Sequence, residues 1–306
     1  MRLTKDQVRR AADVKEALLD AGATAVGVAP AAALEGAPAG HRPSDIIAEA
    51  RSLIVYGVKL VGIDANWPAL VWDDTRQTRI NAWYVYDRCC FDAVNLRLVQ
   101  LGMDLSIAYE LQGYQAYFQA GTNDSADDIE RRSGGPRELL QPIDQEKVRA
   151  LAGLVETPSR YGAPISLRHA AVVAGLGTFG ANNLALHPIF GPRMRYNIVI
   201  TDCELDAYDV PLTEPVCLYD QGCRVCEAAC PHGVFHEAGR FAFAGLDNPW
   251  LAMRGPCYHN GVYCGGLCLV TCPAGSGDRA MKANLARRYP AVRKILARLE
   301  EKAGGH

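Results

Sequence analysis

The stretch that decides the fold consists of two cysteine runs near the end of the chain. The first reads CLYDQGCRVCEAACP, from Cys217 to Pro231, and the second reads CYHNGVYCGGLCLVTCP, from Cys257 to Pro273. Each run contains four cysteines and ends with Cys-x3-Cys-Pro. Two such endings in one short segment predict a module that is organised around these eight thiols.

The ending Cys-x3-Cys-Pro is typical of bacterial ferredoxin motifs, in which three cysteines of a run hold one four-iron cluster and the fourth ligates the other cluster. We assign the eight ligands here by the same rule, in which one cysteine of each run ligates the cluster of the other run. One [4Fe–4S] cluster is predicted on Cys217, Cys223, Cys226 and Cys272, and a second on Cys230, Cys257, Cys264 and Cys268. Both runs depart from the usual C-x2-C-x2-C-x3-C-P spacing, with five residues between Cys217 and Cys223 and with Cys257 set back. The cluster partners of Cys217 and Cys257 therefore stay open.

Zinc and disulfides are the alternatives to iron–sulfur ligation. Structural zinc prefers two separated Cys-x2-4-Cys pairs and does not need the prolines. Disulfides need an oxidising compartment. Arg9-Arg10 is followed by a charged amphipathic pattern rather than by the apolar core of an export signal. We therefore prefer iron–sulfur clusters and expect a reducing cytoplasm.

Composition sets broad limits on function. The 306 residues are 49% hydrophobic and 22% charged, as is ordinary for a soluble globular protein. No apolar run approaches the roughly 20 residues that span a bilayer. The formal net charge of -2 gives no general attraction to nucleic acid, so an RNA substrate would need a local basic patch.

Strands and helices alternate before the cysteine runs. Thr4 and Gln7 form a capping box that starts a first helix, which ends at Gly22. Further helices are predicted over 78–112 and 166–174, and strands over 25–29, 52–60, 115–120 and 196–201. The polar residues 121–138 predict a loop. We expect an α/β (α+β) core over 1–211, a double-cluster module over 212–275 and a helical tail over 276–306.

Residues 174–202 read AGLGTFGANNLALHPIFGPRMRYNIVITD. They resemble a block of epoxyqueuosine reductases and of the related cobalamin-dependent reductive dehalogenases. Residues 41–60, HRPSDIIAEARSLIVYGVKL, are similar to the early strand region of the same superfamily. The resemblance implies a nitroreductase-like core that binds base-off cobalamin, followed by a ferredoxin-like module that wires two clusters to the cobalt.

The glycine-rich block supplies the candidate cobalamin contacts: Gly175, Gly177, Phe179, Gly180, Asn182 and Asn183. Glycines allow positive φ and a close approach of the backbone to a flat macrocycle, and the asparagines can hydrogen-bond its side-chain amides. A helix cap and a turn are the plainer explanation of Gly175 and Gly177. Arg193 and Arg195 flank the next turn and could bind an anionic group, with ordinary surface charge as the alternative.

Tyr161 is the candidate proton donor. Its position matches the acidic Asp of epoxyqueuosine reductases, and the resemblance to reductive dehalogenases implies a tyrosine in that role. A phenol has a pKa near 10 and keeps its proton at neutral pH. Arg160, Arg168 and His169 are candidates for a cation that would stabilise the phenolate. The alternative is that Tyr161 only lines a pocket.

The sequence thus predicts a cytoplasmic oxidoreductase, like a reductive dehalogenase or an epoxyqueuosine reductase, that uses cobalamin and two [4Fe–4S] clusters to reduce a small organic substrate. Ferredoxin or flavodoxin is the expected electron donor, and a homodimer is compatible with the sequence. A tRNA substrate is disfavoured because the C-terminal helical extension of epoxyqueuosine reductases is missing. Two alternatives remain: an electron-transfer or corrinoid-reactivating protein without substrate chemistry, and a cobalamin-free iron–sulfur reductase.

Overall fold

The computed structural model describes residues 1–37, 40–60, 90–119, 164–230, 239–243, 246–251 and 266–275, together with residues 293 and 297. In this part of the chain the helices are α1 (Ala11–Asp20), α2 (Pro43–Ile46), α3 (Ala93–Glu110), α4 (Leu167–Val173), α5 (Val225–Ala229) and α6 (Leu267–Val270). The strands are β1 (Ala25–Pro30), β2 (Ser52–Lys59), β3 (Ala116–Phe118), β4 (Thr178–Phe179), β5 (Ala185–Leu186), β6 (Met194–Thr201), β7 (Gly239–Phe243) and β8 (Leu246–Leu251). None of the helices in these ranges is long and apolar enough to cross a bilayer.

An antiparallel sheet of four strands, in the order β1-β2-β6-β3, organises the core. Its two central strands pair along their whole lengths, from Ser52 opposite Thr201 to Lys59 opposite Met194. Because β6 follows β2 only after a long stretch of chain, the centre of the sheet is a long-range contact. The mixed α/β character that the sequence predicted is confirmed, and the sheet is antiparallel.

Helices cover both faces of this sheet. Alternate side chains of a strand point to opposite faces, so Ile54 and Tyr56 pack with α1 and α3, whereas Leu53 and Val55 pack with α4. Each of these side chains is fully buried, and each Leu, Ile or Val contributes about 1.5–3 kcal/mol by its burial. Burial of both faces explains why the sequence shows continuous apolar runs instead of alternation.

Five predicted elements are confirmed to within two residues at each end: β1, β2, β3, α4 and β6. The long helix predicted over 78–112 is confirmed from Ala93 to Glu110, and its first part lies outside the described residues. It continues through Gly102, where an added Cβ would lie 2.2 Å from the Tyr56 hydroxyl oxygen. A glycine is needed there because the helix approaches β2 so closely. The predicted loop at 121–138 lies outside the described residues, as does all of the predicted tail except 293 and 297.

The first helix begins later than predicted. The Thr4 and Gln7 side chains do exchange hydrogen bonds with each other's backbone N–H groups, at 3.3 and 3.0 Å, but they close a 3-10 turn over Gln7–Arg9. Helix α1 starts only at Ala11, whose N–H donates to Asp206 Oδ1 at 2.8 Å. A carboxylate from a distant part of the chain therefore caps the helix, which no local pattern could reveal.

The cysteine segment is attached to this core and contains elements that were not predicted. Leu269 and Val270 of α6 are buried in the same core cluster as Leu98 and Leu105 of α3. Between the two cysteine runs, β7 and β8 form an antiparallel hairpin. The end of the second cysteine run is therefore anchored in the apolar core to which α3 also contributes.

Candidate metal centre

Four thiols from the two cysteine runs line one cavity. Its wall includes Cys217, Cys223, Cys226 and Cys272. Ala181, Asn182 and Leu186, from the glycine-rich block and β5, complete part of the wall. Three of the four cysteines belong to the first run and the fourth closes the second run. The cavity therefore contains the four cysteines that the crossing motif groups together.

A 3-10 turn accounts for the unusual spacing at the start of the first run. Tyr219–Gln221 form the turn, and Gly222 follows it with a φ of 87°. The N–H of Cys223 then donates to the carbonyl of Leu218 at 3.1 Å, so the chain doubles back on itself. The five residues between Cys217 and Cys223 are used to make this reversal, and α5 then carries Cys226.

Cys272 reaches the cavity from the end of α6. Gly266 precedes this helix with a φ of 69°, and the Thr271 hydroxyl donates to the Leu267 carbonyl at 2.7 Å. Beyond Cys272 the chain lies against the turn around Gly191, where an added Cβ would stand 2.2 Å from the Ala274 carbonyl oxygen. The side of the cavity formed by Cys272 is thus packed against the segment that leads into β6.

Burial and mutual proximity disfavour the ionised thiols. Burial raises the pKa of Cys226, and the neighbouring Cys272, Cys223 and Cys217 raise it further. Burial also raises the pKa of Cys272 to about 12, with Arg193 as the strongest opposing influence. Buried thiols such as Cys226 and Cys272 become thiolates only when nearby positive charge compensates them, which a bound metal centre supplies.

The thiols are arranged around a cavity rather than around a point. In the described ranges, no three His, Cys, Asp or Glu side chains have the mutual spacing that a single metal ion needs. Ala181 donates its backbone N–H to Cys217 Sγ at 3.4 Å, a contact that stabilises a negatively charged sulfur. Among the predicted ligands of the second cluster, Cys230 and Cys268 are half-buried beside Ala181 and Cys226. Cys257 and Cys264 lie outside the described residues.

The first glycine of the glycine-rich block is a helix cap. Gly175 follows α4 with a φ of 70°, its N–H donates to Val172, and the N–H of Leu176 donates to Ala171. These two bonds form a Schellman motif, which requires a residue in the left-handed region. The local structure of Gly175 is therefore explained by a helix cap, without a macrocycle.

The other two glycines of the block face β5. Positive φ was expected here, but it occurs at Gly175 and at Asn183 and not at Gly177 or Gly180. A Cβ on Gly177 would lie 2.5 Å from the Leu186 carbonyl oxygen, and one on Gly180 would lie 2.7 Å from Leu186 Cδ1. The sides that these glycines leave open are thus occupied by β5, and the described contacts around them give no independent fit for a macrocycle.

Two candidate catalytic residues have local partners. Arg168 donates from Nη1 to the Asn183 carbonyl at 2.7 Å. His169 is buried, with Nδ1 2.7 Å from Ser166 Oγ and its ring against Phe179. Burial lowers the pKa of His169 to about 4, so the ring is neutral at pH 7. Burial thus disfavours the charged form of His169, and the role of His169 as a cation stays a prediction.

Tyr161 lies outside the described residues, but the chain just after it is anchored. The Ile165 N–H donates to Gln119 Oε1 at 2.8 Å, and Gln119 Nε2 donates back to the Ile165 carbonyl at 3.1 Å. His41 Nδ1 donates to the Pro164 carbonyl at 2.8 Å. The described chain that follows Tyr161, from Pro164 onward, therefore lies beside Gln119, immediately after β3.

Arg193 is a feature of the site whose importance the sequence did not reveal. Ordinary surface charge was one alternative for it, yet its side chain is only 2% exposed. It donates to the carbonyls of Val270 and Cys272 beside the cavity. Its position between a Gly-Pro turn and a strongly apolar strand was the only signal in the sequence. Arg195, by contrast, lies against Asn95 and the Phe91 ring.

Two solved structures of reductive dehalogenases share this fold. A reductive dehalogenase whose structure "suggests a mechanism for B12-dependent dehalogenation" is 18% identical, with a TM-score of 0.54 over 94% of this chain and 35% of that one. The catabolic reductive dehalogenase NpRdhA, in complex with 3-bromo-4-hydroxybenzoic acid, is 18% identical, with a TM-score of 0.53 over 94% and 34%. Epoxyqueuosine reductase from Streptococcus thermophilus is 13% identical, with a TM-score of 0.43 over 87% and 68%.

The chain spans about a third of the length of the reductive dehalogenase chains that it matches. No protein-family model matches the sequence, and neither does any curated protein. At 18% identity the likeness establishes the fold: the chain has the fold of the reductive dehalogenases. The resemblance predicted from residues 41–60 and 174–202 is confirmed at that level.

Proposed function

We propose that this chain is a cobalamin- and iron–sulfur-dependent reductase of a small organic substrate. The observation that carries the proposal is the cavity lined by Cys217, Cys223, Cys226 and Cys272, in a chain with the fold of a B12-dependent dehalogenase. Ferredoxin or flavodoxin is the proposed electron donor. The iron–sulfur part of the proposal has support from the site itself, whereas cobalamin is supported by the likeness of fold.

A four-iron cluster suits the chemistry of the cavity. Such a cluster takes four thiolates, and when bound it accepts and releases single electrons. Burial of Cys226 and Cys272 keeps water from the sulfurs, and the Ala181 N–H supplies a hydrogen bond to Cys217. Iron would offset the cost of ionising four neighbouring thiols. We further propose the second cluster on Cys230, Cys257, Cys264 and Cys268, two of which lie beside Cys226.

Cobalamin would supply the reductive chemistry. Its proposed binding site lies beside the block from Gly175 to Asn183. Within that block Gly177 and Gly180 pack on Leu186, so contacts to a corrin would come from other atoms, such as the Phe179 ring or the Asn182 amide. Tyr161 is the proposed proton donor because a phenol is protonated at neutral pH. Arg160, Arg168 and His169 are the proposed cations for its phenolate, and burial disfavours the charged form of His169.

Iron analysis of anaerobically reconstituted protein tests the cluster part. We expect about eight irons per chain, from two four-iron clusters. Cys226→Ala should remove about four of them because it deletes one ligand of a single cluster. Cys203→Ala is the matched control, since Cys203 is fully buried away from the cavity wall and its thiol contacts the Val8 carbonyl. Stoichiometric zinc with little iron would overturn the proposal.

Cobalamin addition separates the proposed function from its alternatives. Retention of cobalamin through gel filtration, with a base-off absorbance spectrum, supports the cobalamin-dependent reductase. Two clusters without cobalamin retention would favour the cobalamin-free iron–sulfur reductase. Clusters and bound cobalamin without turnover of halogenated or epoxide substrates would favour the electron-transfer or corrinoid-reactivating role.

A further inference from the structure

A fully buried guanidinium is fixed against the cysteine that closes the second run. Arg193 lies just before β6, and its Nη2 donates to the Val270 carbonyl at 3.2 Å and to the Cys272 carbonyl. Nη1 donates to the Phe190 carbonyl at 3.4 Å. The guanidinium is therefore hydrogen-bonded to the last residue of α6, Val270, and to Cys272 in the cavity wall.

The charge of Arg193 cannot be removed by titration, because a guanidinium stays protonated in proteins. Burial of a charge costs several kcal/mol unless dipoles or an opposite charge compensate it. Backbone carbonyls supply part of that compensation here. The bond to the Cys272 carbonyl places the guanidinium next to the cysteine that closes the thiol cavity. The fold thus places a permanent cation beside a site that would hold negative charge.

We propose that Arg193 is a positioning residue that raises the reduction potential of the cluster on Cys217, Cys223, Cys226 and Cys272. This inference rests on the iron–sulfur part of the proposed function and not on cobalamin. A low-potential one-electron reductant gives one electron to the cluster and is itself oxidised by one. The reduced cluster carries one more negative charge than the oxidised cluster, so a nearby cation stabilises the reduced form more strongly.

The expected effect is measurable in the cluster alone. Loss of the charge should shift the ratio of reduced to oxidised cluster at least tenfold towards the oxidised form at a fixed potential. For a one-electron couple this tenfold change corresponds to about 59 mV. The shift is towards lower potential, so the cluster becomes harder to reduce.

Three variants separate charge from structure. Arg193→Gln removes the charge but keeps a side-chain amide that can donate hydrogen bonds. Arg193→Lys keeps the charge but loses the planar fork. Arg195→Gln is the matched control, because it removes the same charge two residues further along, where the side chain contacts Asn95 at 2.8 Å and the Phe91 ring at 4.1 Å. Redox titration of each protein without cobalamin, followed by electron paramagnetic resonance, gives the potentials.

The proposal expects a lowered potential in Arg193→Gln and values close to wild type in Arg193→Lys and Arg195→Gln. If Arg193→Gln fails to hold iron, the potential of Arg193→Lys decides: a value close to wild type supports the proposal, and a lowered value overturns it. Equal behaviour of Arg193→Gln and Arg193→Lys overturns the proposal, as does an equal shift in Arg195→Gln. Wild-type protein without iron would instead overturn the proposed function, so the two failures are distinguishable.

Discussion

Replacement of Gly177 by alanine tests whether the glycine-rich block is shaped by packing or by a macrocycle. The added Cβ would lie 2.5 Å from the Leu186 carbonyl oxygen and 2.9 Å from the Leu186 carbonyl carbon. Contacts under 3.0 Å are not tolerated, so the backbone of β5 must move by about half an ångström or more. Overpacking of this kind costs about 1–3 kcal/mol. At about 2–4 °C for each kcal/mol, the thermal midpoint should fall by roughly 2–12 °C.

The displacement should also reach the metal centre. Leu186 packs with Cys272 and lines the cavity, so Gly177→Ala is expected to lower the iron content after reconstitution. The assay combines a thermal scan of anaerobic protein, at one fixed scan rate, with iron analysis. Gly180→Ala is the matched control. Its Cβ would meet Leu186 Cδ1 at 2.7 Å, Asn182 Oδ1 at 2.8 Å and Leu186 Cγ at 2.9 Å. All three are side-chain atoms, which shift more easily than the backbone carbonyl met by Gly177, so the loss should be smaller.

One result would refute this reasoning. If Gly177→Ala keeps the wild-type midpoint and iron content but no longer retains cobalamin, the glycine is required by the macrocycle and not by β5. The larger Gly177→Val substitution cannot decide the question, because it would disturb β5 and a bound macrocycle together.

Two further predictions concern Tyr161 and His169. Tyr161→Phe should leave iron content and cluster reduction unchanged and slow single turnover from pre-reduced protein by about 100- to 10,000-fold, the usual cost of losing a general acid; turnover at the wild-type rate would assign Tyr161 to a pocket wall. Burial lowers the pKa of His169 from 6.5 to about 4 in the folded chain, so the unfolded chain binds the proton more readily and stability falls as the pH drops below about 6.5. Between pH 7.5 and 5.5 the wild type should lose about 1 kcal/mol more than His169→Gln does, as read from urea midpoints, and parallel pH profiles for the two proteins would contradict the neutral buried ring.

The sequence was most informative where local chemistry decides the structure. β2 and β6 are apolar runs bounded by polar residues and turns, so their positions could be predicted closely. The pairing of these two strands could not be predicted, because they are far apart in the sequence and no local pattern specifies which strands pair. The same limit hid the Asp206 carboxylate that caps α1.

Within the site, spacing was informative and orientation was not. The crossing motif grouped Cys272 with the cysteines of the first run, and these four thiols line one cavity. The glycines of the block were visible, but a sequence cannot show what faces the side that a glycine leaves open. Arg193 was visible as well, yet only the fold shows that its charge is buried. Burial and orientation arise from long-range packing, which a single sequence does not contain.

During synthesis the cavity can be completed only after Cys272 has emerged. This cysteine follows Cys226 by 46 residues, and at synthesis rates of about 5–20 residues per second it emerges roughly 2–9 s later. During that interval the nascent chain carries Cys217, Cys223 and Cys226 without Cys272, and α6 has not yet joined the apolar core. Closure of the loop from Cys226 to Cys272 has an entropic cost that increases only slowly with length. Metal that is supplied before that interval ends encounters only three of the four ligands. The timing of metal supply relative to translation should therefore affect the yield of active protein.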